Sequence, residues 1–292
     1  MGLDELADQA ASAVDALCGR GSHGSCWPLP DLLLLRHVRP TAPEATLYEP
    51  VVCLILQGRK ETTVGGLTRR LRSGDSMIIS HDLPVVSRIS SASSNHPYLA
   101  LVFVIDMALL RGLAAEIDDA VAGDEAAQSL AVHSSEPALV DVLSRYLAVS
   151  KDPVEARILG PTIRREVHFR LLTATHGGML RQLQQRNHHA NAIAKAIAFV
   201  RKNYRSTIAI PELANVACMS TSALHKHFKT VTSTTPLQYQ KELRLLEARR
   251  LLLAGQNSIT SAAFEVGYQS PSQFSREYSR KFGMSPRSDL VS

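Results

Sequence analysis

Ser272, Gln273, Ser275 and Arg276 fall within five consecutive positions near the end of the sequence, and Ser222, His225, Lys226 and Lys229 fall within eight positions farther upstream. These groups do not form the nucleophile–base pairs of an enzyme. They are the short polar and basic side chains that hydrogen-bond to base edges and phosphates. Arg276 can donate two bonds to one guanine, and Lys229 reads as a phosphate contact.

Other chemistry-bearing residues lead less far. Gly19 to Gly24 matches G-x-G-x-x-G, but it follows no strand and opens no helix, so chance is the better reading. Cys18, His23 and Cys26 have no fourth metal ligand in sight. His225 and His227 lie two apart on a helix and face apart, so they are not a metal pair. Cys53 sits in an apolar run and reads as a small core residue; it is a weak candidate for a reactive thiol that contacts an effector. No Ser/His/Asp grouping or phosphate loop stands out. The expectation is no enzyme, no metal and no cofactor.

The polar clusters need helices to present them. Ser270 can cap a helix whose first residue is Pro271, and Gln273 completes an S-x-x-Q capping box. Phe274, Tyr278 and Phe282 recur at four-residue steps and share a face, leaving Gln273, Ser275, Arg276 and Arg280 off it. Gly283 and Pro286 end the helix. Upstream, Ile259–Val266 reads as a short helix closed by Gly267, so 259–282 is a helix-turn-helix. The pattern occurs twice. Leu224 matches Phe274, Phe228 matches Tyr278, Lys226 matches Arg276 and Pro236 matches Pro286, each pair 50 residues apart. The first copy spans 210–231, with Cys218 where Gly267 stands, one residue out of step. Between the copies, 236–254 is rich in Leu, Arg and Glu, with Thr235 and Pro236 to open a helix and Gly255 to close it.

At these residues the sequence resembles the arabinose-regulator (AraC/XylS) family of bacterial transcription factors. The resemblance is carried by Ser220, Leu224, Phe228, Lys229 and Pro236, by Arg244-Leu245 with Ala248 and Leu252, and by Gly267-Tyr268, Phe274, Arg276 and Gly283-x-Ser285-Pro286. It covers roughly the last third of the chain. Lys226 replaces a usual arginine, Ser233 replaces a usual glycine, and Arg287–Leu290 lacks the usual exit motif. The resemblance implies base recognition at the two polar clusters, double-stranded DNA as partner, a homodimer, and activation that would bring in RNA polymerase.

Charge agrees with this. From Gln185 onward there are 15 Lys+Arg and 6 Asp+Glu, a net of +9, against 17 and 21 upstream, a net of −4. A basic module on a mildly acidic body is the footprint of nucleic-acid binding. At 292 residues, about two domains are expected. The longest apolar runs, such as Tyr98–Ile105, are too short to span a membrane. No secretory leader is visible, and the cysteines at 18, 26, 53 and 218 form no C-x-x-C pair, so a cytoplasmic setting is expected.

Upstream, Tyr48–Gln57 is strand-like, Arg59–Val64 and Leu67–Arg72 flank a Gly65-Gly66 hairpin, and Met77–Ser80, Val85–Ser90 and Tyr98–Ile105 add short strands. YEPVVCLILQGRK, SGDSMIIS and DLPVVSRI resemble the sensor domain of one branch of the same family, which implies a cupin-like pocket for a small-molecule effector. His81 and His96 do not reproduce the metal-binding pattern of enzymatic cupins. Met107–Ile117, Ala138–Leu147 and Val154–Thr175 read as helices, the last broken at Gly160-Pro161. Ile163, Val167 and Leu171 line a face for self-association or for packing on the body.

The expected fold is α+β: an N-terminal cupin-like antiparallel β-barrel with following helices, then a C-terminal all-α domain with two helix-turn-helix units. The expected division is a leader over 1–40, a sensor and dimerisation domain over 41–183, a linker over 184–191 and a DNA-binding domain over 192–292. Three functions fit: an effector-responsive transcription activator, a metal-dependent cupin enzyme with a DNA-binding tail, and a ligand-independent architectural DNA binder.

Overall fold

The computed structural model describes residues 2–19, 21, 23–117, 128–184, 189–255 and 257–290. Residues 1–40, expected as a leader, hold helix α1 (Leu3–Cys18) and strands β1 (Gly24–Leu29) and β2 (Leu32–His37). Next come β3 (Glu44–Tyr48), β4 (Val51–Gln57), β5 (Arg59–Val64), β6 (Leu67–Arg72), β7 (Asp75–Ile79), β8 (Leu83–Ser91) and β9 (Tyr98–Val104). Helix α2 (Met107–Glu116) and strand β10 (Leu130–Ser134) complete this part.

The expected cupin-like barrel does not form. The strands make two antiparallel sheets, one in the order β1-β2-β9-β4-β7-β10 and the other β3-β8-β5-β6. Closure needs a hydrogen-bond ladder that returns to its first strand. Among the described residues no ladder joins the two sheets, so β1, β10, β3 and β6 remain edges. The sheets meet through side chains instead. Cys53, Ile55, Met77, Ile79 and Tyr98 from the larger sheet pack against Val64, Leu71, Val85 and Ile89 from the smaller.

The other face of the larger sheet is covered by helices. Val52, Leu54, Leu101 and Phe103 meet Leu6, Ala10 and Val14 of α1 and Leu139, Val142 and Leu143 of α3 (Pro137–Val149). The central strand β4 is therefore buried on both faces, which is why its sequence, VVCLILQ, is a continuous apolar run rather than an alternation. The β5–β6 hairpin turns on Gly65 and Gly66, with φ of 54° and 86°, as a tight two-residue connection requires.

The helical stretch expected over 154–175 is broken beside Gly160-Pro161 as expected, into α4 (Pro153–Ile158) and α5 (Gly160–Thr173), because Pro161 cannot donate into a continuous ladder. Val167 and Leu171 are fully buried in the layer over the large sheet, with Ile163 packed against it. That face serves packing on the body. Helices α6 (Gly178–Gln184) and α7 (His189–Asn203) follow; of the expected linker, residues 185–188 lie outside the described residues. Met179 and Leu183 of α6 join the core of the helical part that follows, with Ile193, Ile197 and Val200. Among the described residues no helix is long and apolar enough to cross a membrane.

Candidate nucleic-acid interface

The first helix-turn-helix pairs α8 (Ile210–Val216) with α9 (Thr221–Thr232), and the second pairs α11 (Ile259–Glu265) with α12 (Pro271–Phe282). Between them runs α10 (Pro236–Leu253), and α13 (Pro286–Asp289) follows. Local chemistry sets each start. The Ser220 hydroxyl accepts from the Ala223 amide at 3.2 Å, Thr235 from Gln238 at 3.3 Å and Ser270 from Gln273 at 3.3 Å. Each satisfies an amide that the helix leaves unpaired.

The repeat extends to the backbone. Cys218 and Gly267 both turn left-handed, with φ of 51° and 90°, and Ser233 and Gly283 do so at the exits, with φ of 60° and 76°. Serine can hold the left-handed exit, so its replacement of glycine leaves the turn intact. Gly267 has a second constraint: a Cβ there would collide with the Arg205 carbonyl.

Two small cores form under the two units. Leu213, Leu224, Phe228 and Val231 pack with Tyr239 and Leu243 of α10, while Ala262, Val266, Phe274 and Tyr278 pack with its Leu245, Ala248 and Leu252. One helix thus supplies both cores, its first half to one and its second half to the other. Lys241 and Glu242 tie it further to α12, through Glu277 at 3.0 Å and Lys281 at 3.1 Å.

Arg244 sits at the junction. Its guanidinium donates to the carbonyls of Tyr204 at 2.6 Å, Ser206 at 2.9 Å, Gly267 at 3.0 Å and Arg205 at 3.2 Å. It also lies over the Tyr268 ring, 5.9 Å from its centre. The sequence marked Arg244 only as part of the family resemblance. Its partners lie 23 to 40 residues away, beyond what spacing reveals.

The residues expected to read DNA are placed as follows. On α9, Ser222, His225, Lys226 and Lys229 are exposed; on α12, Ser272, Gln273 and Arg276 are exposed and Ser275 is half-buried. Ser222 Oγ lies 3.1 Å from the capping Ser220 Oγ, and Gln273 Nε2 donates to Glu277 at 3.2 Å. Arg276 makes no hydrogen bond or ion pair with any described residue. His227 turns away from His225 and stacks on His189, ring centres 3.8 Å apart. Glu277, which accepts from Gln273, is an acid on the same helix. Burial works to raise its pKa, but bonds from Tyr268, Lys241 and Gln273 outweigh burial and hold it below the usual carboxylate range. Its charge is thereby matched inside the protein. Cys53, the weak effector candidate, lies far from this face, buried between the two sheets, where burial pushes its thiol up.

The downstream unit is locked from behind by Asp289, which no motif in the sequence singles out. Its carboxylate accepts from Arg249 at 2.8 and 3.0 Å and from the Tyr278 hydroxyl at 2.6 Å. The Arg249 bond, with Tyr278, holds its pKa below the ordinary value, against burial. A depressed carboxylate contributes stability above the unfolded-state pKa of about 3.9, and loses it as pH falls through the folded value. Asp289→Asn should therefore lower stability at pH 7 by about 1–2 kcal/mol. The gap from wild type should close as pH drops below about 4. Urea titrations of both proteins from pH 7 to pH 3 would show it; a gap that stays constant would mean the charge of Asp289 is not what matters.

Two helix-turn-helix units on one rigid helix, with exposed polar and basic residues near the starts of both second helices, define a DNA-binding protein of the transcription-regulator class. Comparison with known proteins narrows this. Residues 28–179, just over half of the chain, match the model of the AraC-type transcriptional regulator N-terminus, and residues 213–290 match a helix-turn-helix domain. The chain belongs to the AraC-type transcriptional regulators, a family of regulators rather than enzymes. Among curated relatives it is 30% identical over 135 residues to the HTH-type transcriptional activator RhaS of Yersinia pseudotuberculosis serotype I (strain IP32953), covering 46% of this chain and 49% of that protein. It is 32% identical over 106 residues to RhaS of Yersinia pestis (strain Pestoides F), covering 36% and 39%. The chain thus spans about half the length, or less, of the curated relatives it matches. Among solved structures, ToxT from Vibrio cholerae is similar at a TM-score of 0.54 and 13% identity, over 88% of this chain and 98% of that one. At that identity the likeness concerns the fold.

Proposed function

We propose that the chain is a homodimeric regulator that binds specific double-stranded DNA and activates transcription with RNA polymerase in response to a small molecule. In this reading residues 41–183, with α1 and the strands before them, sense and dimerise, and residues 192–292 bind DNA. Ser222, His225 and Lys226 on α9 and Ser272, Gln273, Ser275 and Arg276 on α12 face the major groove, and Lys229 contacts phosphate. The observation that carries the reading is the sharing of α10 between the two cores, which supports taking the two second helices as one reader. The enzyme alternative rested on a metal cupin barrel and loses its scaffold with the barrel.

The body also touches the reader. The Ser129 amide donates to the Val231 carbonyl at the end of α9 at 3.0 Å, and Tyr239 of α10 donates its hydroxyl to the Asp82 carbonyl at 2.6 Å. Arg201 of α7 reaches both Asp82 and Glu49 at 2.6 Å. A change of state in the body would therefore act first on α9 and α10, which supports effector control of DNA binding.

The test is binding of the full chain to a selected operator and to random DNA over a range of salt. Arg276→Ala should cost about 1–3 kcal/mol on the operator, relax preference at one base pair and leave random-DNA binding nearly unchanged. Lys229→Ala should weaken both DNAs alike and reduce the salt slope by about one. Equal losses on both DNAs for Arg276→Ala would reduce it to a phosphate contact.

A further inference from the structure

Two cysteines that the DNA reader does not use lie side by side where α1 meets the larger sheet. Cys18 closes α1 and is half-buried, and Cys26 is buried in β1. The Cys18 thiol donates to the Ser25 carbonyl at 3.8 Å and is a hydrogen-bond neighbour of the Cys26 thiol. Cys26 belongs to the core that α1 shares with the larger sheet, and Cys18 packs against that core. Between them the chain turns back on Gly19 and Gly21, with φ of 90° and 67°, and a Cβ at either glycine would meet only open space. The other two cysteines are placed differently. Cys53 is buried between the two sheets, and Cys218 is exposed in the turn of the first helix-turn-helix.

The paired thiols differ in access. Burial pushes Cys26 up to about 11; its bond with Cys18 adds to the rise and the charge of Arg36 opposes it. Arg36 is held beside them by Asp15 at 2.7 Å and the Gly19 carbonyl at 3.1 Å. The thiolate is the nucleophile in thiol exchange, so Cys26 does not start one. Cys18 is the thiol that an oxidant reaches. Its thiolate attacks one sulfur of a small disulfide, such as oxidised glutathione, and one glutathione thiolate leaves. Cys26 then loses its proton and attacks the Cys18 sulfur, and the second glutathione thiolate leaves. The two cysteine protons end on the released thiolates. One small disulfide is reduced to two thiols, and Cys18 and Cys26 are oxidised to one disulfide.

We propose that Cys18 and Cys26 are a redox-active pair that closes to a reversible disulfide, stapling the end of α1 to the edge strand β1. In a reducing compartment such a bond is transient, so it marks exposure to oxidant rather than holding the fold together.

The test uses the full chain, freshly reduced, then incubated with oxidised glutathione. Free thiols are trapped with an alkylating agent, and the protein is mapped by mass spectrometry without reduction. The expected product is a pair of peptides joined through Cys18 and Cys26, separated again by dithiothreitol. Cys26→Ser should instead keep glutathione on Cys18, and Cys18→Ser should leave Cys26 unmodified, because burial shields it. The bond closes only a short loop, so the oxidised chain should unfold about 5 °C above the reduced one. Cys18→Ser should show no such rise. A wild type that forms no Cys18–Cys26 bond, one that stops at glutathione on Cys18, or an oxidised chain that unfolds no higher than the reduced one would each overturn the proposal.

Discussion

Insertion of one alanine after Glu242 is expected to lower operator affinity to the level of random DNA, about a thousandfold or more, while phosphate attraction and its salt dependence survive. The reason is geometric. Helix α10 has 18 residues and spans about 27 Å, and the turns at its ends bring its reach towards the ~34 Å between major-groove segments on one face of DNA. One extra residue lengthens it by only ~1.5 Å but rotates everything beyond by about 100°. Leu245, Ala248 and Leu252 carry the downstream core, so α12 turns with them and Arg276 leaves the groove. The bonds from Lys241 and Glu242 to α12 are lost in the process. Operator and random-DNA affinities would be compared, with circular dichroism to show that the protein is folded. A folded insertion mutant with full operator preference would mean that the two units read DNA independently.

Arg244→Ala is expected to destabilise the DNA-binding part by about 3 kcal/mol, although Arg244 touches no base in this account. Hydrogen bonds to a charged group are worth about 1.5–3 kcal/mol each, they are not additive, and the freed carbonyls can partly recover with water. Four carbonyls from two segments converge on this guanidinium, which fastens the α7–α8 connection to the turn at Gly267. Lysine cannot replace the fork, so Arg244→Lys should recover less than half of the loss. Urea unfolding of the full chain, read by loss of helical signal, would measure it. A loss below about 1 kcal/mol in Arg244→Ala would show that the carbonyls are satisfied without it.

What could be read from sequence alone divides along the range of the interactions. The caps at Ser220, Thr235 and Ser270 act within three residues, so residue types and spacing disclose them. The repeat is legible for the same reason, since each copy must bury its own stripe. The hairpin at Gly65-Gly66 is a local feature too. Pairing between strands is not. The apolar run of β4 says that both faces are covered but not by what, and a barrel wall and the middle sheet of a layered body look alike from within one strand. Helix α1 hid because its buried residues, Leu6, Ala10 and Val14, lie among alanines and acids that read as a leader. Arg244 and Asp289 drew no notice as structural residues, because their partners are other segments of the chain. Lys60 reads as an ordinary polar position in an alternating strand; only burial from the opposite sheet makes it unusual.

The central claim is that α9 and α12 form one DNA reader held by α10. Selection of bound fragments from a random DNA pool by the full chain, followed by sequencing, tests it most directly. The expected result is two short blocks of enriched bases per protein copy, centred about 10–10.5 base pairs apart, so that both lie on one face of the helix. A single enriched block, or two blocks offset by half a turn onto opposite faces, would contradict it.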